Sequence, residues 1–165
     1  MKLVFVFISI LPLWLAAQTV HLDDKKIEYR GDVKLEGISQ TEIFNRAKNV
    51  LQKVVQPVTD IAVNEKGQEL KTIGVIRLTT PYPIIRNLCY TLKFSAKKDG
   101  YHYKIEDVSL WEKHRGEEGH FISPKDIVDK LDDPGVSTVE AEHTLNAIDL
   151  NLQKILALIK NKMKE

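Results

Sequence analysis

The chain has 165 residues, with 24 Lys and Arg against 23 Asp and Glu, and 43% of its residues are hydrophobic. This length and composition are typical of one domain that buries its own core. With a formal net charge of +1 and charges that alternate in sign, the chain lacks the basic stripe of a nucleic-acid-binding protein.

The N-terminus has the three-part pattern of a cleavable secretory signal. Lys2 supplies a positive charge, residues 3–15 carry no charge, and small residues follow up to Ala17. A membrane-spanning helix needs about 20 apolar residues, which is more than this run provides. We predict a signal peptide over residues 1–17, with cleavage near Ala17 or Gln18. An uncleaved anchor and a buried N-terminal strand are the alternatives.

The mature chain, residues 18–165, is expected to be a single soluble domain in the periplasm or outside the cell. No cysteine follows the apolar run to accept a lipid, so we expect no membrane insertion after cleavage. Without Lys2, 24 − 1 = 23 basic residues face 23 acidic ones. Cys89 is the one cysteine and has no partner for an internal disulfide. We expect a buried thiol, with a reactive or intermolecularly bonded thiol as the alternative.

A strand and a helix come first. Residues 27–35 alternate between apolar and charged side chains, as in a half-buried strand, and Gly31 within them suggests a bulge. Ser39 and Glu42 then form a capping box, S-x-x-E, ahead of apolar residues at helical spacing. The helix is expected to end before Pro57.

Four strands are predicted after this helix, over residues 61–64, 69–78, 88–94 and 101–105. Short turns ending at Gly67 and Gly100 join neighbouring strands, so the four should form an antiparallel meander. Tyr101 and Tyr103 alternate with polar residues, a spacing that favours core positions over a ligand-stacking role.

The C-terminal third is predicted to hold a linker and a long helix. Residues 112–136 are charged and glycine-bearing, with a short helix opening at Ser123 and Pro124. Ser137 and Glu140 form a second capping box, and apolar residues recur at helical spacing up to Met163. At 1.5 Å per residue this helix would reach about 39 Å. It could overhang the sheet and form a homodimer, although simple packing on the sheet is favoured.

The element order is therefore β-α-β-β-β-β-α, an α+β fold. Three segments, KIEYRGDVKLEGISQTEIFNRAKNVLQK, VNEKGQE and YTLKFSAKKDGYHYKIEDV, resemble an uncharacterised domain-of-unknown-function family with a TATA-binding-protein-like (TBP-like) fold, found in exported proteins of Gram-negative bacteria. The resemblance spans residues 26–163 and carries no functional residues. It implies a curved antiparallel sheet with helices on one face and the other face available to a ligand or partner. Residues 112–136 are longer than this fold requires.

No catalytic, cofactor or metal motif stands out. His114 and His120 flank a glycine-bearing loop whose spacing fits no common metal site. No serine lies in a glycine-flanked elbow, and Cys89 lies in an ordinary strand. DNA binding, which the fold name suggests, is opposed by export and by the neutral charge.

The proline-stiffened segment 80–87 is the candidate partner contact, through Tyr82, Ile84 and Ile85. The alternative is that these side chains fold back over an open end of the core. We predict an exported binding or interaction module without catalytic activity, which binds an unknown protein or small molecule and needs no cofactor. The alternatives are an envelope-associated hydrolase whose active site is dispersed in the sequence, and a structural subunit.

Overall fold

The computed structural model describes residues 19–23, 26–55, 61–79, 84–131 and 138–165. These residues form an α+β domain. Its elements are β1 (Thr19–Asp23), β2 (Lys26–Lys34), α1 (Gln40–Val54), β3 (Ala62–Asn64), β4 (Glu69–Leu78), β5 (Ile85–Lys97), β6 (Gly100–Lys113), β7 (His120–Ile122), α2 (Pro124–Leu131) and α3 (Thr138–Lys162). The predicted signal peptide and its cleavage positions, Ala17 and Gln18, lie outside the described residues.

The strands form one antiparallel sheet in the order β1-β2-β6-β5-β4-β3, and β7 pairs with β6 outside this path. Strands β3 to β6 are neighbours in chain order, which confirms the predicted meander. β2 pairs with the first half of β6, from Gly100 to Ile105, and β7 pairs with Leu110 to Glu112 near its end. Both short partners therefore lie along the same edge of β6.

The sheet is larger than the sequence analysis predicts. The predicted order omits β1 and β7, and the predicted linker over 112–136 is wrong in part, because β6 continues to Lys113 and His120–Ile122 is a strand. Three residues are too few to show a period-two pattern, so β7 could not be recognised from spacing. The predicted short helix is α2, where Ser123 and Asp126 cap each other's backbone N–H groups at 3.2 and 3.1 Å.

Helices α1 and α3 cover one face of the sheet and enclose the core with it. α1 begins as predicted, with Ser39 Oγ accepting from the N–H of Glu42 at 3.3 Å. The core combines apolar residues from the two helices with alternate residues of the strands. Its most buried members include Ile43, Phe44, Leu51, Leu88, Tyr90, Phe94, Tyr101, Ile105, Ile148, Leu152 and Leu156. The core positions predicted for Tyr101 and Tyr103 are confirmed.

Side-chain contacts hold α3 on the sheet and on α1. Tyr29 Oη donates to Asp149 Oδ1 at 2.5 Å, and Lys160 Nζ lies 5.1 Å from the centre of the Tyr103 ring. Arg46 Nη1 donates to the carbonyl oxygen of Met163 at 2.9 Å. Burial, with the hydrogen bond to Asp149, raises the pKa of Tyr29. The predicted cap residue Ser137 lies outside the described residues.

Two glycines make room for core tyrosines on the neighbouring strand. Gly31 is the register partner of Tyr103, and Gly74 is the partner of Tyr90. A Cβ atom would lie 2.6 Å from Tyr103 Oη in the first pair and 2.1 Å from Tyr90 Cζ in the second. The bulge predicted at Gly31 is wrong, because the β2–β6 register is continuous there. A register shift occurs instead between β5 and β6, beside Asp107 with its φ of 53°.

Candidate functional site

The two helices leave the second face of the sheet uncovered by the described residues. Because side chains alternate along a strand, the residues between the buried positions of β4, β5 and β6 point to this open face. Its side chains are Glu69, Lys71, Ile73, Val75 and Arg77 of β4, Ile85, Asn87, Cys89, Thr91, Lys93 and Ser95 of β5, and His102, Lys104, Glu106, Ser109, Trp111 and Lys113 of β6.

One end of the open face carries an apolar patch that crosses β4, β5, β6 and β7. The patch consists of Ile73, Val75, Ile85, Cys89, Trp111 and Phe121. Register pairs Val75 with Cys89 and Trp111 with Phe121, so these side chains lie beside one another. Ile73 lies two residues before Val75 on β4, and Ile85 lies two residues before Asn87, the register partner of Trp111.

Several residues of the patch are far more exposed than their apolar character favours. Ile73 is 50% exposed, Ile85 is 43% exposed and Phe121 is 68% exposed. Single exposed apolar residues are common, but a contiguous group often marks an interaction surface. The patch is therefore the strongest candidate contact surface among the described residues.

Gly119 fixes the position of the Trp111 ring within the patch. A Cβ atom at Gly119 would lie 2.1 Å from Cζ2 of Trp111 and 2.4 Å from its Cε2. The backbone between β6 and β7 thus passes over the indole ring at a distance that only glycine permits. The ring remains partly exposed.

Basic side chains border the apolar patch. Arg77 is the register partner of Asn87, which in turn pairs with Trp111, and Lys113 lies two residues beyond Trp111 on β6. Arg77 and Lys113 are exposed, and neither forms an ion pair with another described residue. The border of the patch can therefore attract a negatively charged group.

Farther along the strands, four basic residues form a row across the open face. Register pairs Lys71 with Lys93, Lys93 with Lys104, and Lys104 with Arg30. Neighbouring strands are about 4.8 Å apart, and like charges directly opposite each other destabilise a sheet. We call Lys71, Lys93, Lys104 and Arg30 the cationic row.

Two carboxylates neutralise most of this row. Glu106 contacts Lys93 Nζ and lies 2.9 Å from Lys104 Nζ, and Lys104 Nζ is also 2.9 Å from Glu28. Hydrogen bonds from Lys93 and Lys104 lower the pKa of Glu106, and hydrogen bonds to Glu106 and Glu28 raise the pKa of Lys104. Lys71 is left without an ion-pair partner among the described residues.

A depression of about 430 Å³ lies beside Lys71. Its lining residues are Ala62, Val63, Asn64, Glu69, Leu70, Lys71, Lys93, Phe94 and Ser95. Glu69 Oε2 accepts from Asn64 Nδ2 at 3.1 Å, and Glu69 Oε1 accepts from Ser95 Oγ at 3.5 Å. A volume of this size is within the range of small-ligand pockets.

The helix-covered side holds a different polar cluster, centred on the buried Arg86. Its Nε contacts Glu112 Oε2, its Nη1 donates to Thr144 Oγ1 at 3.0 Å and its Nη2 donates to Glu140 Oε1 at 2.5 Å. Arg86 is 6% exposed and Glu112 is 5% exposed. The adjoining cavity, which Lys130 also lines, measures only about 90 Å³.

The ionised groups of this cluster stabilise one another. Burial acts to raise the pKa of Glu112, but hydrogen bonds from Arg86 and from His114, at 2.7 Å, outweigh it and lower that pKa. Burial acts to lower the pKa of Arg86, and its hydrogen bonds to Glu112 and Glu140 raise it. The guanidinium therefore joins β5, β6 and α3 as a structural ion pair.

The predicted contact residues have different outcomes. Tyr82 lies outside the described residues. Ile84 is half-buried, whereas Ile85 is exposed and belongs to the apolar patch. Cys89 is half-buried rather than buried, and burial raises the pKa of its thiol. His114 bonds to Glu112 and His120 begins β7; the described residues contain no His, Cys, Asp and Glu group arranged to hold a metal.

The cationic row and the partnership of Trp111 with Phe121 are not predicted by the sequence. The alternation in β5 and β6 indicates which residues face away from the core, but the row exists only in the register between strands. The sequence pattern predicts a linker at Phe121, and a linker residue has no predicted place beside Trp111. None of the described helices combines the length and apolar character needed to cross a membrane.

Comparison with known proteins shows the fold. No protein-family model and no curated protein matches the chain. A TBP-like protein from Parabacteroides distasonis is similar in structure, with a TM-score of 0.74, 14% identity, and coverage of 88% of this chain and 97% of that one. A DUF4468 family protein from Bacteroides ovatus gives a TM-score of 0.57 at 13% identity, covering 85% of this chain and 90% of its own. The chain therefore has the TBP-like α+β fold that the sequence predicted.

Proposed function

We propose that this protein is an exported binding module without catalytic activity, and that the open face of its sheet is the binding surface. The apolar patch carries the proposal. Phe121, Ile73 and Ile85 lie on the face opposite the helices, where they contribute little to the core. Covering apolar area is worth about 25 cal/mol per Å², so a ligand that covers the patch would gain free energy from it.

Export is supported by the pattern of residues 1–17 and by the resemblance to exported proteins of unknown function. If the signal is cleaved as predicted, the mature chain begins at Gln18 or Thr19. Mass spectrometry of the protein recovered from the cell envelope or medium tests this directly. A full-length chain that starts at Met1 and stays in the cytoplasm would contradict it.

The absence of catalysis is supported by the state of the charged groups. Arg86, Glu112 and Glu140 are bonded to one another beside a cavity of about 90 Å³, which leaves little room for a substrate. Glu106 is likewise held between two lysines. Catalytic groups commonly have a free position next to a pocket large enough for a substrate.

Trp111 provides the test, because it is the only tryptophan in residues 18–165. Compounds and glycans of the cell envelope are screened by thermal shift, and each stabilising compound is then tested for protection of Trp111 fluorescence from acrylamide quenching. We expect at least one compound to raise the melting temperature and to shield Trp111. The proposal would be contradicted by a compound that stabilises the protein without shielding Trp111 and stabilises Phe121→Ser equally well.

Self-association through α3 is a second proposal with an observation of its own. Leu150 is 54% exposed and Leu158 is 44% exposed, and neither belongs to the buried side of α3. Light scattering across a range of concentrations tests it. A dimer that Leu158→Asp dissociates would support the proposal, and a monomer at every concentration would contradict it.

A further inference from the structure

We infer that the depression beside Lys71 binds an acidic saccharide, with the carboxylate of a sugar acid between Lys71 and Lys93. This inference rests on the proposed binding role of the open face and names the class of ligand. It combines three observations. Lys71 has no ion-pair partner among the described residues, the carboxylate of Glu69 lies close enough to accept from the hydroxyl groups of the same ligand, and aromatic side chains lie on the same face of the sheet.

The first observation is the uncompensated charge. Lys71 and Lys93 are direct register partners, and this arrangement is unfavourable unless an anion is nearby. Glu106 is shared between Lys93 and Lys104, and Glu28 is shared between Lys104 and Arg30. Three cations of the row therefore share two carboxylates, and Lys71 adds a fourth cation. An anionic group between Lys71 and Lys93 would relieve the repulsion.

The second observation is the set of polar groups around the depression. Glu69 lies two residues before Lys71 on β4, a distance of about 6.6 Å along the strand. Its carboxylate bonds to Asn64 and Ser95 and keeps further lone pairs that can accept hydroxyl protons. The negative charge of Glu69 would repel a small anion without hydroxyl groups. A ligand with an acidic group at one end and hydroxyl groups at the other satisfies both sides.

The third observation is the position of the rings. Asn87, the partner of Trp111, lies six residues before Lys93 on β5, which corresponds to about 20 Å. Several linked sugar rings would reach from the depression to Trp111 and Phe121, whose exposed ring atoms can contact the apolar side of a sugar. Arg77 and Lys113 would then meet further carboxylates along the same chain.

A peptide ligand is less well matched to this surface. Peptides are commonly recognised through a sheet edge or by a groove that takes a helix. β5 and β6 are internal strands whose backbone groups are paired on both sides over most of their length, so the open face offers a ligand side chains only. Cations, a carboxylate, a hydroxyl, an amide and two aromatic rings suit a hydroxylated anion.

The test is isothermal titration of the mature protein with D-galacturonate, with its linear trimer, with D-glucose and with sodium sulfate. We expect binding of galacturonate, tighter binding of the trimer, and none of glucose. Lys71→Gln should weaken galacturonate binding by about tenfold, the effect of losing one charged contact worth about 1.4 kcal/mol. Lys154→Gln, at an exposed site on α3, is the matched control and should leave binding unchanged. Trp111→Ala should weaken binding of a linear hexamer, which can span the roughly 20 Å from the depression to Trp111, more than binding of the monomer.

Several results would overturn the inference. They are the absence of galacturonate and trimer binding, equal binding of sulfate and galacturonate, equal binding of glucose, and an affinity that Lys71→Gln does not change. A different compound that stabilises the wild type but not Phe121→Ser would reject the acidic saccharide and leave the binding role of the open face standing. Saccharide binding that depends on Lys71 but leaves Trp111 unshielded would support the depression as the binding site. It would contradict a role for the apolar patch in binding.

Discussion

Residues of the same type are buried on one face of the sheet and exposed on the other. Phe94 of β5 is 2% exposed beneath the helices, where it stacks on Tyr101 with ring centres 4.7 Å apart, whereas Phe121 of β7 is 68% exposed on the open face. Arg86 is buried among carboxylates, whereas Arg77 is exposed and has no ion-pair partner among the described residues. The helix-covered face holds the fold together, and the open face is the binding surface that we propose.

The matched phenylalanines give the largest expected contrast. Phe94→Ala should lower the free energy of unfolding by about 3–5 kcal/mol, because it removes buried contacts and leaves a cavity. Phe121→Ala should change it by less than about 0.5 kcal/mol, as for an ordinary exposed site. Urea unfolding of both variants measures the difference. Equal losses in the two variants would show that both faces are structural.

The matched arginines give the next contrast. Arg86→Ala leaves the carboxylate of Glu112 buried without its partner, and we expect a loss of about 3–5 kcal/mol. Arg77→Ala should change stability by less than about 0.5 kcal/mol. The double variant Arg86→Met with Glu112→Leu should recover much of the loss, because it removes both buried charges. Failure to recover would point to a role beyond the ion pair.

Acid should weaken the Arg86 cluster. The pKa of Glu112 is lowered in the folded protein, so its contribution to stability is fully present above the ordinary carboxyl pKa. That contribution is lost as the pH falls through the lowered folded-state value. The stability difference between the wild type and Glu112→Gln should therefore be constant near pH 7 and shrink below about pH 4.5. A difference that grows on acidification would reverse the assigned sign.

The glycine–tyrosine pairs give a smaller effect on the covered face. Gly74→Ala places a Cβ atom against the Tyr90 ring, and we expect a loss of about 1–3 kcal/mol from overpacking. In a Tyr90→Leu background the same substitution should cost less, since the ring is gone. A double-mutant cycle by urea unfolding measures the coupling. Additive effects would show that the two residues do not interact.

The sequence predicted the covered face well because burial leaves a local signal. Alternation in β5 and β6 identified Tyr90, Phe94 and Tyr103, and helical spacing identified the buried side of α3. The open face depends on register, which is set by pairing between distant segments. Lys71 and Arg30 are far apart in the chain, and only the pairing of their strands with β5 and β6 places them in one row. The position of Phe121 is not predicted from the sequence, because a three-residue strand is too short to show period-two alternation.

The central claim is tested most directly by comparing two double variants with the wild type. The melting temperature is measured with and without a saturating ligand from the screen, for Ile73→Ser with Phe121→Ser on the open face and for Leu150→Ser with Leu158→Ser on α3. We predict that the ligand-induced increase disappears in the open-face variant and persists in the α3 variant. An increase that persists in the open-face variant would contradict the account.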